Sequence, residues 1–188
     1  MKTTNFKWLA ITLALFVFIT DCKDDKKEVS KFIGDFVISN AKLAEALIVP
    51  TVEAPGNLTL PVNTNITQLI QTALLSAVNC SSPDKSYVEL REDNSLYLSC
   101  EGLTPLNAGT WEEVSATTLI LNMNSTAIPP IGFVLSVTNI VEDASGLTGI
   151  ASVPLPKEMI GALIAPLHLS PSAPAVFMLK ISIQFMKK

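Results

Sequence analysis

Hydrophobic and polar positions along this chain change period several times, and each change marks an element. Between residues 86 and 100, Val88, Leu90, Leu96, Leu98 and Cys100 alternate with Tyr87, Glu89, Arg91, Tyr97 and Ser99, around a turn at Glu92-Asp93-Asn94-Ser95. A period of two with one apolar side is a half-buried strand, so this stretch predicts a hairpin. The same alternation continues from Gly109-Thr110-Trp111 to about Val114, and through Leu119, Leu121 and Met123. Pro129-Pro130 breaks the pairing, after which Phe133, Leu135, Val137 and Val141 are expected on one face. The chain turns at Asp143-Ala144-Ser145-Gly146 and returns through Leu147, Ala151 and Val153. The last strand is the most regular: Phe177, Leu179, Ile181, Ile183 and Phe185 alternate with Met178, Lys180, Ser182 and Gln184.

Two stretches have a helical period. Ile66, Leu69, Ile70, Ala73, Leu74 and Ala77 form one apolar stripe, with Asn65 as N-cap and Gln68 three residues on, which predicts an amphipathic helix over 65–78. Pro156 opens a short helix over 156–165 that Pro166 halts. Near the start, Ile33 and Phe36-Val37-Ile38 favour a strand, and Ala41 to Leu47 is expected to continue as helix. Pro50 to Asn63 reads as turns around Pro55-Gly56-Asn57. Many short, turn-linked, alternating strands predict a mainly β domain, an antiparallel barrel or sandwich.

The N-terminus follows a different logic. Lys2 and Lys7 precede an apolar run from Trp8 to Ile19, the layout of an export signal. A transmembrane helix needs about 20 apolar residues, and this run is shorter. The sequence Phe18-Ile19-Thr20-Asp21-Cys22, followed by Lys23-Asp24-Asp25-Lys26-Lys27-Glu28, resembles a bacterial lipoprotein processing site. The tract Lys23-Asp24-Asp25 resembles the export tag of Bacteroidetes surface lipoproteins. The resemblance implies a signal peptide over 1–21, a lipidated tether over 22–30 that begins at Cys22, and an outer-membrane lipoprotein at the cell surface. An exported chain with an unmodified Cys22 is the alternative.

Composition narrows the picture further. The chain has 188 residues, room for one domain, with 48% hydrophobic and 16% charged residues and a net charge of −4. The apolar content excludes a disordered chain. The acidic balance gives no basic face for nucleic acid. In an exported protein Cys80 and Cys100 suggest a disulfide, with two buried thiols as the alternative.

The order of landmarks carries one more resemblance. Gly34-Asp35-Phe36-Val37-Ile38 precedes the amphipathic helix, Cys80 ends it, and then come the hairpin Ser86–Cys100, Gly109-Thr110-Trp111 and Leu119-Ile120-Leu121. Together these resemble the lipocalin-like lipoprotein domains of Bacteroidetes. The resemblance implies a lipocalin-like antiparallel β-barrel over 31–188, closed or else open and partly flattened.

Catalytic patterns are sparse. His168 is the single histidine, sits between Pro166 and Pro171, and has no Gly-x-Ser-x-Gly motif near it. The cysteine spacing matches no zinc pattern. Glu112 and Glu113 are neighbours on a strand and should face opposite ways. Tyr87 and Tyr97, outward on the hairpin, are the candidates for an aromatic carbohydrate platform.

The expected function is non-catalytic binding, without cofactor or metal, of a small apolar ligand at the cell envelope. Leu135, Val137, Met159, Leu163, Met178 and Leu179 are the candidate lining residues. The alternatives are a structural or accessory protein that docks another envelope protein through Pro156–Leu169, and a hydrolase built on His168.

Overall fold

The computed structural model describes residues 29–53, 56–124 and 133–188. The export signal, Cys22, most of the tether and Pro129-Pro130 lie outside them, as do the side chains of Ala73, Leu74 and Phe133. Eight antiparallel strands close into a barrel: β1 (Gly34–Leu43), β4 (Ser86–Leu90), β5 (Ser95–Cys100), β6 (Leu106–Ser115), β7 (Thr118–Met123), β8 (Phe133–Asp143), β9 (Gly146–Pro156) and β10 (Val176–Lys187). Each strand pairs with its sequence neighbour from β4 onward, and β1 closes the ring between β10 and β4. The alternative of an open or flattened sheet is therefore corrected: the barrel is closed. A small hairpin of β2 (Leu47–Pro50) and β3 (Asn57–Leu60) forms a separate two-stranded sheet.

Inward positions carry the predicted apolar residues, among them Phe36, Leu96, Leu98, Trp111, Leu121, Val137, Leu179 and Ile181, all buried. Outward positions include Glu112, Lys180 and Gln184. The outer face also carries exposed apolar side chains, among them Val134, Val141 and Met178, so it is mixed where the interior is apolar. No helix among the described residues is long and apolar enough to cross a membrane.

Three departures from the sequence pattern have local causes. In β8 the register shifts between Thr138 and Val141, where Asn139 takes a left-handed φ of 53°. The extra residue turns Ile140 inward and leaves Val141 63% exposed, so Val141 does not share the face of Leu135 and Val137. In β6 the register shifts between Glu113 and Ser115, where Val114 is exposed; before the shift Glu112 and Glu113 pair in unbroken register with Ile120 and Leu119 and so keep opposite faces, although both are exposed. Residues 44–46 form no helix, since β1 continues to Leu43 and β2 begins at Leu47.

The connections are unequal at the two ends of the barrel. The β4–β5, β6–β7 and β8–β9 links are tight turns. Asn94, with φ 65°, and Asp93, which accepts from the Ser95 amide and hydroxyl, shape the first of them. Among the described residues, the opposite end receives two long links. The first, between β1 and β4, holds the β2–β3 hairpin and helix α1 (Thr67–Val78). Asn65 Oδ1 accepts from the Thr67 amide at 2.9 Å, so Asn65 caps α1 as its sequence predicts. The second, between β9 and β10, holds helix α2 (Lys157–Ile164), with Pro156 at its N-cap and Ile160 and Ile164 fully buried.

Candidate functional site

Barrel closure leaves one weak side. β1 has ten residues and β4 only five, and the two pair only through Gly34–Phe36. Beyond Phe36 the free edge of β1 needs other partners, because an unpaired buried amide or carbonyl is costly. The insertion supplies them. Leu43 donates its amide to Thr64 O at 3.0 Å, and the Ile66 amide donates to Ala41 O at 2.9 Å. The Ala41 amide donates to Thr67 Oγ1 at 2.8 Å, and Gln71 Nε2 donates to Ile38 O at 2.9 Å. Helix α1 thus fills the place in the wall that β4 is too short to reach.

The far end of α1 is fastened differently. Cys80, two residues beyond it, and Cys100, the last residue of β5, lie at disulfide distance with sulfurs 2.09 Å apart. The first turn of α1 is therefore hydrogen-bonded to β1, and its exit is covalently tied to β5.

Inside this wall lies an apolar cavity of about 80 Å³. Ile38, Val88, Leu96, Leu121, Leu135, Val153, Ile183 and Phe185 line it from the strands. Ile70 of α1 and Met159 of α2 complete it. Among the described residues every one that lines it is Ile, Leu, Val, Met, Phe or Pro, so these can select for shape and apolarity but offer no side chain to fix a charge. Ligand pockets for drug-sized molecules run to about 300–1,000 Å³, so this cavity holds only part of such a guest.

Of the residues expected to line a ligand site, Leu135 and Met159 border this cavity. Val137 and Leu179 are fully buried in the packed interior, outside the cavity lining. Leu163 faces a broad outer hollow of about 810 Å³ between α1 and α2, shared with Thr67, Gln68 and Thr72. Met178 is 63% exposed on the outer wall, because it alternates with Phe177 and Leu179. The other cavity residues carry no mark in sequence beyond inward alternation. Ile70, on the buried stripe of α1, is the one whose helical period could have signalled it.

The remaining candidates are dispersed. Among the described residues no three of His, Cys, Asp and Glu come together as a metal set. His168 is exposed, with φ 58°, at the end of the turn after α2. Neither tyrosine offers a bare ring. The Arg91 guanidinium lies 3.8 Å from the centre of Tyr97 and makes a two-pronged bond to Glu89, at 2.7 and 3.0 Å. The Lys188 ammonium lies 4.1 Å from the centre of Tyr87 and 2.6 Å from Glu101, whose carboxyl it holds below the usual range. Trp111 is buried, and its indole N–H donates to Arg91 O at 2.9 Å.

Comparison with family models, with curated proteins and with solved structures finds no match to this chain.

Proposed function

We propose that this protein is a non-catalytic binding protein of the bacterial cell envelope, lipid-anchored at Cys22, that takes up an apolar ligand. The observation that supports the binding role is the cavity, bordered by barrel strands and two helices and lined, among the described residues, by apolar side chains. An eight-stranded barrel is the size at which the interior is either filled or holds one small guest. The anchor rests on the placement of Cys22 after the export signal and before the charged tract.

Titration of the exported full chain with cis-parinaric acid, a slender fluorescent acyl chain, tests the binding role. The expected result is saturable enhancement that Val153→Phe, which fills the cavity, weakens at least about tenfold, the effect of some 1.4 kcal/mol. Absent saturation, or equal binding by V153F and wild type, would overturn it. The anchor is tested by radiolabelled palmitate, which should label the wild type and not Cys22→Ala. Equal labelling of the two would remove Cys22 as the site.

A second reading, docking of another envelope protein, draws on the turn after α2. Ala165, Pro166 and Leu167 are exposed there, Leu167 at 56%, beside the outer hollow. Co-purification from solubilised membranes that Leu167→Asp abolishes would favour it.

A further inference from the structure

We propose that the gap between β1 and β4 is a lateral route to the cavity, that α1 is its movable cover, and that the guest is a slender unbranched chain. This rests on the binding reading above and adds the route and the shape of the guest.

The geometry has three parts. First, β4 is missing from part of the wall. A gap of one strand is about two strand spacings, roughly 10 Å, which suits a single alkyl chain better than a fused ring system. Second, a crevice of about 10 Å³ already lies in this gap, between Phe36, Gln71, Val78 and Leu98. It shares Ile38 and Val88 with the cavity, so those two side chains form the partition between them. Third, α1 puts Ile70 into the cavity wall. An outward shift of α1 withdraws Ile70, joins crevice to cavity and supplies the volume the cavity of about 80 Å³ lacks.

The fastenings of α1 define how it can move. Thr67 sews its first turn to β1 with two hydrogen bonds, the Ala41 amide to Thr67 Oγ1 and Thr67 Oγ1 to Ala41 O at 3.3 Å. Gln71 adds one bond a turn later, and the Cys80–Cys100 tie secures the exit. Loosening either of the last two should free the second half of the helix while the first turn stays in place.

The test is stopped-flow mixing of the full chain with cis-parinaric acid. Two variants are compared with the wild type: Cys80→Ser with Cys100→Ser, and Gln71→Ala with the disulfide intact. Gln71→Ala should take up and release the chain roughly three- to tenfold faster, the effect of losing about one hydrogen bond; the double serine variant should be faster by at least as much, and dithiothreitol should speed the wild type likewise. Saturable binding with unchanged rates in both variants would overturn the route and leave the binding role standing. No saturable binding by the wild type would overturn both. Should the double serine variant not fold, Gln71→Ala decides alone, because that residue is half-buried and its loss leaves the disulfide in place.

Discussion

Ile70→Ala tests whether α1 is part of the cavity wall. Ile70 is 7% exposed and reaches the cavity from the helix side. Truncation removes three buried carbons, a transfer cost of roughly 2.4 kcal/mol at about 0.8 kcal/mol each. The further cost depends on whether the helix settles inward. The hydrogen bonds from Thr67 and Gln71 to β1, with the Cys80–Cys100 tie, hold it in place. If a void comparable to the present 80 Å³ stays open, it adds about 2 kcal/mol at ~24 cal/mol per Å³. The total of about 2.5–4.5 kcal/mol lies within the usual range for Ile→Ala in a core. Urea unfolding can be followed by Trp111, the one tryptophan beyond the export signal. The midpoint should fall with the slope unchanged. Binding should move the other way, with a several-fold gain in affinity for cis-parinaric acid from the larger cavity. A loss no larger than the transfer cost of about 2.4 kcal/mol, with unchanged affinity, would mean that α1 settles onto the barrel, and would refute its role as a wall that keeps its place at rest.

Three further outcomes can be checked. Reduction of Cys80–Cys100, which closes a 20-residue separation, should cost about 3 kcal/mol and lower Tm by roughly 9 °C in a domain of this size; an unchanged calorimetric Tm and two free thiols in the untreated folded protein would exclude the bond. Gly109→Ala should destabilise by at least about 1–3 kcal/mol, because Gly109 has φ 141° and an added Cβ would lie 1.9 Å from the Asn122 carbonyl oxygen. Gly102→Ala, at φ 81° with open space around it, is the control, and equal urea midpoints for the two would contradict the steric argument. The Glu53 carboxylate accepts from the Ser170 amide at 2.7 Å, which lowers its pKa. Its contribution is therefore present above the ordinary carboxylate pKa and fades as pH falls through the lowered folded value. The Ser170 amide resonance should titrate at that lowered value, and titration in the ordinary Glu range would contradict the bond.

Most barrel strands are legible in the sequence because one face of each is buried and the side-chain period is two. Val88 to Cys100 and Phe177 to Ile183 need no further information. Alternation fails where the backbone inserts a residue. At Asn139 a polar residue in the left-handed region adds one position, and the expected Val141 gives way to Ile140. The β2–β3 hairpin looks like turns in sequence, because each strand is four residues long and Pro50 ends the first. Its stabilisation is tertiary: the Val52 amide donates to Ser170 O and the Ser172 amide to Pro50 O, each across more than a hundred positions of chain. Cavity residues are less legible than core residues for a related reason. Inward alternation selects Leu135 and Val137 alike, and only the packing of α1 and α2 decides which of them meets empty space.

The high apolar content of the chain has a structural explanation once its parts are placed. Mean hydropathy is +0.42, and part of the excess belongs to the Trp8–Ile19 run. The segment after Pro154 looks surplus to a barrel core when read as strand or tail. In the structure it has a defined use, because Leu155, Ile160 and Ile164 are buried and Met159 borders the cavity. A barrel closed by tight turns at one end needs few apolar residues outside its strands. Helices at the other end need a buried face of their own. The segments with more apolar residues than strands require are therefore the ones that roof and wall the cavity. Substitutions in Ile70 and Met159 should thus alter binding of an acyl chain more than substitutions of equal size in Val137 or Leu179, which are buried but do not border it.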